Sequence, residues 1–473
     1  MSKQTMINSI KHRVLTKACY LTIEELLELE IAIAFAEKAH EGQMRATGEP
    51  YIVHPLSVCL ILLDYKADAI TLISAVLHDV VEDTIYTVFD IKNKFGLQVS
   101  LIVDGLTKIA KGSYEKDEYN AINREKLLSA IIDDVRVAVI KIVDRLHNMR
   151  TLQVKKVEKK VPYASETLAF FSPLTERLGL VNIQKELESL SFHYMNPVKY
   201  EHVKQQMCEH EQSFFVLFNK CKQEIEHTMK TTKLGLELYW DTMPIYKYNS
   251  MLQEDHSIVD TFSINVVTNS FEDCYIAFGI IHNLFQPISN EFKDHMAIRN
   301  NIFYKHLKTK VLIKDVEVKV NIYTKAEQHL KNLGVFQFLQ DNLFASDAKK
   351  ISKDLFRDSI SCIKVISKNP TQFGEMASFE ILQNDITVYT SHLEPVYLPD
   401  GSTAIDYAFQ LDPSIAKRIS YVCINGKVKP LNTVLIDSDI VEIAYAEKDS
   451  INPHWLSFTK TSKAYKEISD LLG

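Results

Sequence analysis

Apolar residues recur at helical spacing through the first 195 positions, with few interruptions. Thr22-Ile23-Glu24-Glu25 has the form of a capping box, and Leu26, Leu27, Ile31, Ala34 and Phe35 follow at helical spacing. The same period predicts helices over 57–65, 69–81, 88–95, 123–132, 135–149, 164–178 and 183–192. Stretches at 41–50 and around 111–113 break it and read as loops. Beyond 196 the pattern turns mixed. A polar helix over about 198–230 precedes a strand at 262–267 and an amphipathic helix at 271–285. Val316, Val318, Val320 and Ile322 alternate with polar residues, so 310–313 and 316–322 read as a hairpin. Short strands fill 386–446, with turns at Pro399-Asp400-Gly401 and Asn425-Gly426. The predicted class is multidomain α+β: an all-α domain at 1–195, a mixed α/β domain at 196–383, a small β domain at 384–447 and a helical tail at 448–473.

Composition changes this picture little. The 473 residues are 46% hydrophobic and 24% charged, ordinary for a soluble protein with several cores. A net charge of −7 argues against wholesale nucleic-acid wrapping, and the basic run 155–160 reads as a solvated helix end or loop, with attraction of an anionic ligand the second reading. Seven scattered cysteines without a C-x-x-C pair point to a reducing compartment and against both a disulfide framework and a structural zinc. No window approaches ~18 apolar residues and no leader-like segment opens the chain, so a cytoplasmic protein without membrane partners is expected.

The chemistry concentrates between Arg45 and Asp83, with Asp144 further on. Charged groups are costly to bury unless paired or bound to a cation. His54 precedes Pro55 at a predicted helix start. His78 and Asp79 adjoin on a predicted helix, where His78 should stack over Glu82 and Asp79 over Asp83. Asp144 shares a helix face with Lys141, Asn148 and Thr151. Two imidazoles and two carboxylates suit a divalent first-row ion that leaves positions for water and substrate. Such an ion can lower the pKa of bound water and polarise a phosphoryl oxygen, so the set reads as a phosphate-ester hydrolase site.

His54, His78-Asp79 and Asp144 resemble the HD phosphohydrolase superfamily. The strings 48–55, 78–84, 104–108, 144–151 and 173–179 resemble its RelA/SpoT homologue branch, which handles the alarmones ppGpp and pppGpp. The resemblance implies Mn2+ held by His54, His78, Asp79 and Asp144. It implies that Glu82 and Asp83 activate or orient the water that removes the 3′-pyrophosphate, giving GDP or GTP. Arg45 would pack on the guanine, Thr47, Asn148 and Thr151 would line the nucleoside pocket, and Lys141 would join the substrate contacts. Ala46 stands where many members carry a second basic residue. A hydrolase of an adenosine or other 3′-phosphorylated nucleotide is one alternative. A non-catalytic alarmone sensor or scaffold is another, which the complete metal and Glu82-Asp83 set argues against.

The middle domain resembles the family's synthetase, a nucleotidyltransferase-like fold, with most of its chemistry missing. Asp260, Glu272-Asp273-Cys274-Tyr275, Gly279-Ile280-Ile281-His282 and Phe292-Lys293-Asp294 keep the scaffold. Residues 241–247 stand where the ATP-gripping motif belongs, and residues 302–308 keep only Tyr304 and Leu307 of the acceptor loop. Lys319 falls at the second Mg2+-site acid, with Glu317 two residues away on the same strand face. Phosphoryl transfer relies on those cations and donors, so a pseudo-synthetase without synthesis is expected. Residues 396–408, 441–443 and 452–456 resemble a TGS domain, a small β-grasp module. Asp412 stands where long members carry a tRNA-contacting histidine, and a carboxylate there would repel nucleic acid. The helical, zinc-finger-like and ACT regions of long members are also missing from the sequence, so neither tRNA nor ribosome binding is expected.

Overall fold

A computed structural model of the chain describes residues 3–112, 114–232, 234–253, 261–289, 291–296, 303, 305–314, 316–340, 351, 355–356, 359–448 and 451–472. Asp260, Ile302 and Tyr304 lie outside the described residues. The chain divides into two compact units, Met1–His147 with Phe338–Gly473, and Asn148–Gln337.

The helices of the first unit are built around Val53–Asp64 and Ala69–Leu77. Both are apolar on nearly every face, and all of Val53–Leu63 except Ser57 is buried. A helix hydrophobic all round belongs inside a core, so the residues at its ends are fixed by packing. Lys3–Lys17, Ile23–Ala39, Val88–Leu106 and Lys116–Asp133 surround the pair. The capping box at Thr22 forms as read, with Thr22 and Glu25 exchanging side-chain-to-backbone bonds. The helix expected over 69–81 instead ends at Leu77, and a short helix, Val80–Asp83, restarts after His78 and Asp79. Val80 and Val81 continue the apolar period, so periodicity alone cannot reveal the break. The helix expected over 88–95 continues to Leu106 across a kink at Gly96, whose φ of 87° glycine adopts without strain.

The second unit carries the helices Val157–Glu166, Val181–Met195 and Pro197–Thr232. Its sheet comprises β1 (Leu236–Thr242), β2 (Phe262–Thr268), β3 (Gln286–Pro287), β4 (Lys293–Asp294), β5 (Leu307–Ile313) and β6 (Val316–Thr324). The order is β1-β2-β6-β5-β3 with β4 also on β5, and β2 and β6 run parallel. One face buries Ile264, Val266, Val311, Val318, Val320 and Ile322 against Phe214 and Phe218 of the long helix and Ala277 and Ile281 of helix Phe271–Leu284. The predicted hairpin is β5–β6, in register from Leu307↔Ile322 to Ile313↔Val316.

The small β domain belongs to the first unit. Its strands are β7 (Asp385–Thr390), β8 (Pro395–Pro399), β9 (Ile419–Ile424), β10 (Lys427–Lys429) and β11 (Ile440–Tyr445). They form a sheet ordered β10-β9-β11-β7-β8, with β11 parallel to β7, and helix Ala404–Leu411 covers it. Asn425 and Gly426 make the tight turn between β9 and β10, both at positive φ. Asp412 is a cap: it accepts from the backbone N–H and hydroxyl of Ser414 to start the turn Pro413–Ala416. Asp406, fully buried, accepts from the backbone N–H groups of Thr403, Lys460 and Thr461. It thereby ties that helix to the start of the C-terminal helix Ser462–Leu472.

Candidate metal centre

The break after Leu77 aims two candidate ligands at once. His78 sits at the C-terminal end of helix Ala69–Leu77, and its Nδ1–H donates to Ala75 O at 2.7 Å. That bond fixes the tautomer and leaves Nε2 as a lone pair. Nε2 is buried without a hydrogen bond, 3.2 Å from Asp79 Oδ1 and 3.9 Å from Asp144 Oδ1. Asp79 occupies the N-cap of Val80–Asp83 without capping it. Its carboxylate is thus spared for the site.

His54, second residue of helix Val53–Asp64, brings Nε2 to 3.2 Å from Asp144 Oδ1 and 3.6 Å from Asp79 Oδ2. Asp144, on helix Val135–Arg150, turns Oδ1 to the imidazoles and Oδ2 to Lys141 Nζ at 3.3 Å. Ligand atoms of His54, His78 and Asp144 all lie within 4.8 Å of one another. Burial pushes the His54 pKa below its ordinary value, keeping the imidazole neutral. Burial opposes ionisation of Asp144, but the Lys141 ammonium and the two imidazoles hold it well below the usual carboxylate range. Asp79 is lowered too, against burial, by His78 and His54. Neutral imidazoles and ionised carboxylates are the ligating forms, so the residues fit a divalent cation.

Across the break Asp79 and Asp83 stay one helical turn apart, as expected, with Asp83 N–H donating to Asp79 O at 2.9 Å, while neither ring nitrogen of His78 bonds Glu82. Glu82 instead meets Lys108, with Oε1 accepting from Nζ at 2.8 Å. Asp83 and Asp79 are joined by the Tyr51 hydroxyl, at 2.6 and 2.8 Å. Arg45 lies on a tight loop closed by Gly48 N–H donating to Arg45 O, and its guanidinium is 5.9 Å from the Tyr51 ring centroid. Gln43 donates to Asp83 O from the same loop, and Thr47 is exposed on it. Asn148 follows Asp144 by one turn on its helix, and the Thr151 hydroxyl donates to Asn148 O.

Three neighbours escaped the sequence reading of roles: Tyr51, Lys108 and His147. His54 Nδ1 lies 2.8 Å from His147 Nδ1. If His54 is to offer Nε2 to an ion, its Nδ1 must carry the proton and donate to His147. All three sit inside the strings that carried the resemblance, which was the available signal.

Comparison with known proteins fits this arrangement. Residues 32–181 match the HD domain, 242–339 the region found in RelA/SpoT proteins, and 386–444 the TGS domain. The chain is 33% identical, over 94% of its length, to a guanosine-3′,5′-bis(diphosphate) 3′-pyrophosphohydrolase of Aquifex aeolicus. The chain belongs to the RelA/SpoT homologue family. Over 96% of its length it is 32% identical to the bifunctional (p)ppGpp synthase/hydrolase SpoT of Escherichia coli K12. It is also 31% identical, over 92% of its length, to a GTP pyrophosphokinase of Myxococcus xanthus. This family member spans 64%, 66% and 59% of those three proteins respectively, so less than two thirds of their length. Among the described residues, no helix is long and apolar enough to cross a membrane.

Proposed function

We propose that the protein hydrolyses the 3′-pyrophosphate of ppGpp and pppGpp, giving GDP or GTP and pyrophosphate, with Mn2+ held by His54, His78, Asp79 and Asp144. The observation carrying this reading is the convergence of two imidazoles on two carboxylates beside Glu82 and Asp83. A bound ion would lower the pKa of a water and polarise the phosphoryl oxygen. Glu82, held by Lys108, takes the proton of the attacking water as the water oxygen joins the phosphorus, and that proton passes on to O3′ as its bond to phosphorus breaks. Asp83 is oriented through Tyr51. Lys141, one side of its charge already on Asp144, faces the phosphates, and Arg45 packs on the base, with Thr47, Asn148 and Thr151 lining the nucleoside. The six cysteines described are all free, which supports a reducing, cytosolic setting.

The domain at 196–383 is a pseudo-synthetase in this reading. Asp241, in the stretch where the ATP-gripping motif belongs, pairs with Lys185 at 3.1 Å, and Lys319 stands on β6 where an acid is needed. Incubation with ppGpp and Mn2+ should release pyrophosphate, and Glu82→Gln should lower kcat by about 10²–10⁴. Labelled ppGpp formed from ATP and GDP would sink the pseudo-synthetase. Nucleotide binding without turnover would favour a sensor instead, and an adenosine-nucleotide panel tests the latitude left by Ala46.

His147 positions His54 in this scheme. His147→Ala is expected to weaken divalent-ion binding about 10–100-fold, as losing an outer partner of a histidine ligand does. Metal titration followed by calorimetry checks it. An unchanged affinity would remove His147 from the assembly.

A further inference from the structure

Helix Ile23–Ala39 carries an apolar row on the side turned away from its core. Leu29, Ala32, Ile33 and Ala36 are buried. On the opposite face Ile23, Leu27 and Ile31, spaced four apart, are 84%, 56% and 43% exposed. Ala34, also exposed, continues the row, and its small side chain leaves room for a close approach. Phe35 extends the surface, its ring centroid 4.6 Å from that of Tyr86 and 5.5 Å from that of Phe95. Single exposed apolar residues are ordinary, but a contiguous row marks a contact surface.

The charges beside this row say what it fits. The first half of the helix carries Glu24, Glu25, Glu28 and Glu30 and no base. In the second half Glu37 is taken up by Lys11 at 2.7 Å, which leaves Lys38. Lys94 of helix Val88–Leu106 adds to that basic end, with its ammonium 4.5 Å from the Phe35 ring centroid. Glu24, Glu28, Lys38 and Lys94 have no ion-pair partner among the described residues. A surface acidic at one end and basic at the other complements itself when turned end for end.

We propose that this face pairs antiparallel with the same face of a second copy of the chain, about a twofold axis at Ile31. Ile31 is the midpoint of the 17-residue helix, so this register overlaps the two helices along their whole length. It sets Leu27 on Phe35, Glu24 on Lys38, and Glu28 beside the Lys94 that covers Phe35. Every contact then occurs twice, as isologous pairing requires. Apolar burial supplies the attraction, and the opposed charges fix the register.

Sedimentation velocity of the full chain from about 1 to 100 μM tests this, and a reversible monomer–dimer equilibrium is expected. Leu27→Asp should weaken pairing at least about a hundredfold, because it puts a carboxylate into the apolar row of both copies. Leu27 is exposed in the single chain, so the Tm of the monomer should stay unchanged. Glu24→Lys and Lys38→Glu should each weaken pairing about tenfold. Together they should restore it, since the two residues then face each other with their signs exchanged. A monomer throughout the range overturns the proposal and passes the row to a different protein. So does a dimer that none of the three single changes weakens, or a double reversal no tighter than either single one.

Discussion

Asp79→Ala is expected to slow ppGpp hydrolysis by at least about a thousandfold, or roughly 4 kcal/mol of barrier. Asp79 is the carboxylate that faces both imidazoles and also accepts from Tyr51. Its removal takes away a ligand, unpins the phenol and leaves His78 Nε2 without its nearest carboxylate. Elemental analysis of the purified variant should show the bound metal lost in parallel with the rate. Near-stoichiometric metal with a rate within tenfold of wild type would refute the four-residue site. Outer partners of a ligand cost only about 10–100-fold, so the contrast with His147→Ala separates holding an ion from orienting a holder.

The second large effect is expected far from this chemistry. Asp406→Ala should destabilise the small β domain by about 3–5 kcal/mol, because it strands the buried backbone donors of Thr403 and Thr461, at about 1–3 kcal/mol each, and the part-buried one of Lys460. Burial lifts the Asp406 pKa above its usual value, and the Thr461 and Thr403 donors offset part of that. The same cluster holds Glu380, which accepts from Ser462 N–H at 2.7 Å. Trp455 is one of only two tryptophans and packs with Ile405, Phe409 and Ile468, so its fluorescence reports unfolding here in urea. A loss under about 1 kcal/mol would mean that water replaces the carboxylate without penalty.

What could be read in advance follows the range of the interactions. Helices such as 135–149 and the β5–β6 hairpin announce themselves through local periodicity, and the ligands through strings only a few residues long. β1 carries no such mark, because only Leu238 is buried in this edge strand and its residues do not alternate. The break after Leu77 hides behind Val80 and Val81. The bonds from Tyr51 to Asp79, Lys108 to Glu82 and His54 to His147 close over 28, 26 and 93 residues, so only the fold can make them.

The two histidines of the candidate metal centre differ in their exposure to genetic change. His78 is oriented by the Ala75 carbonyl, a main-chain group that every residue type at position 75 would supply. His54 is oriented by a side chain, His147, and any substitution there removes the partner. One ligand is insured against drift and the other is not. Variants that loosen this centre without touching a ligand should therefore accumulate on the His54 side.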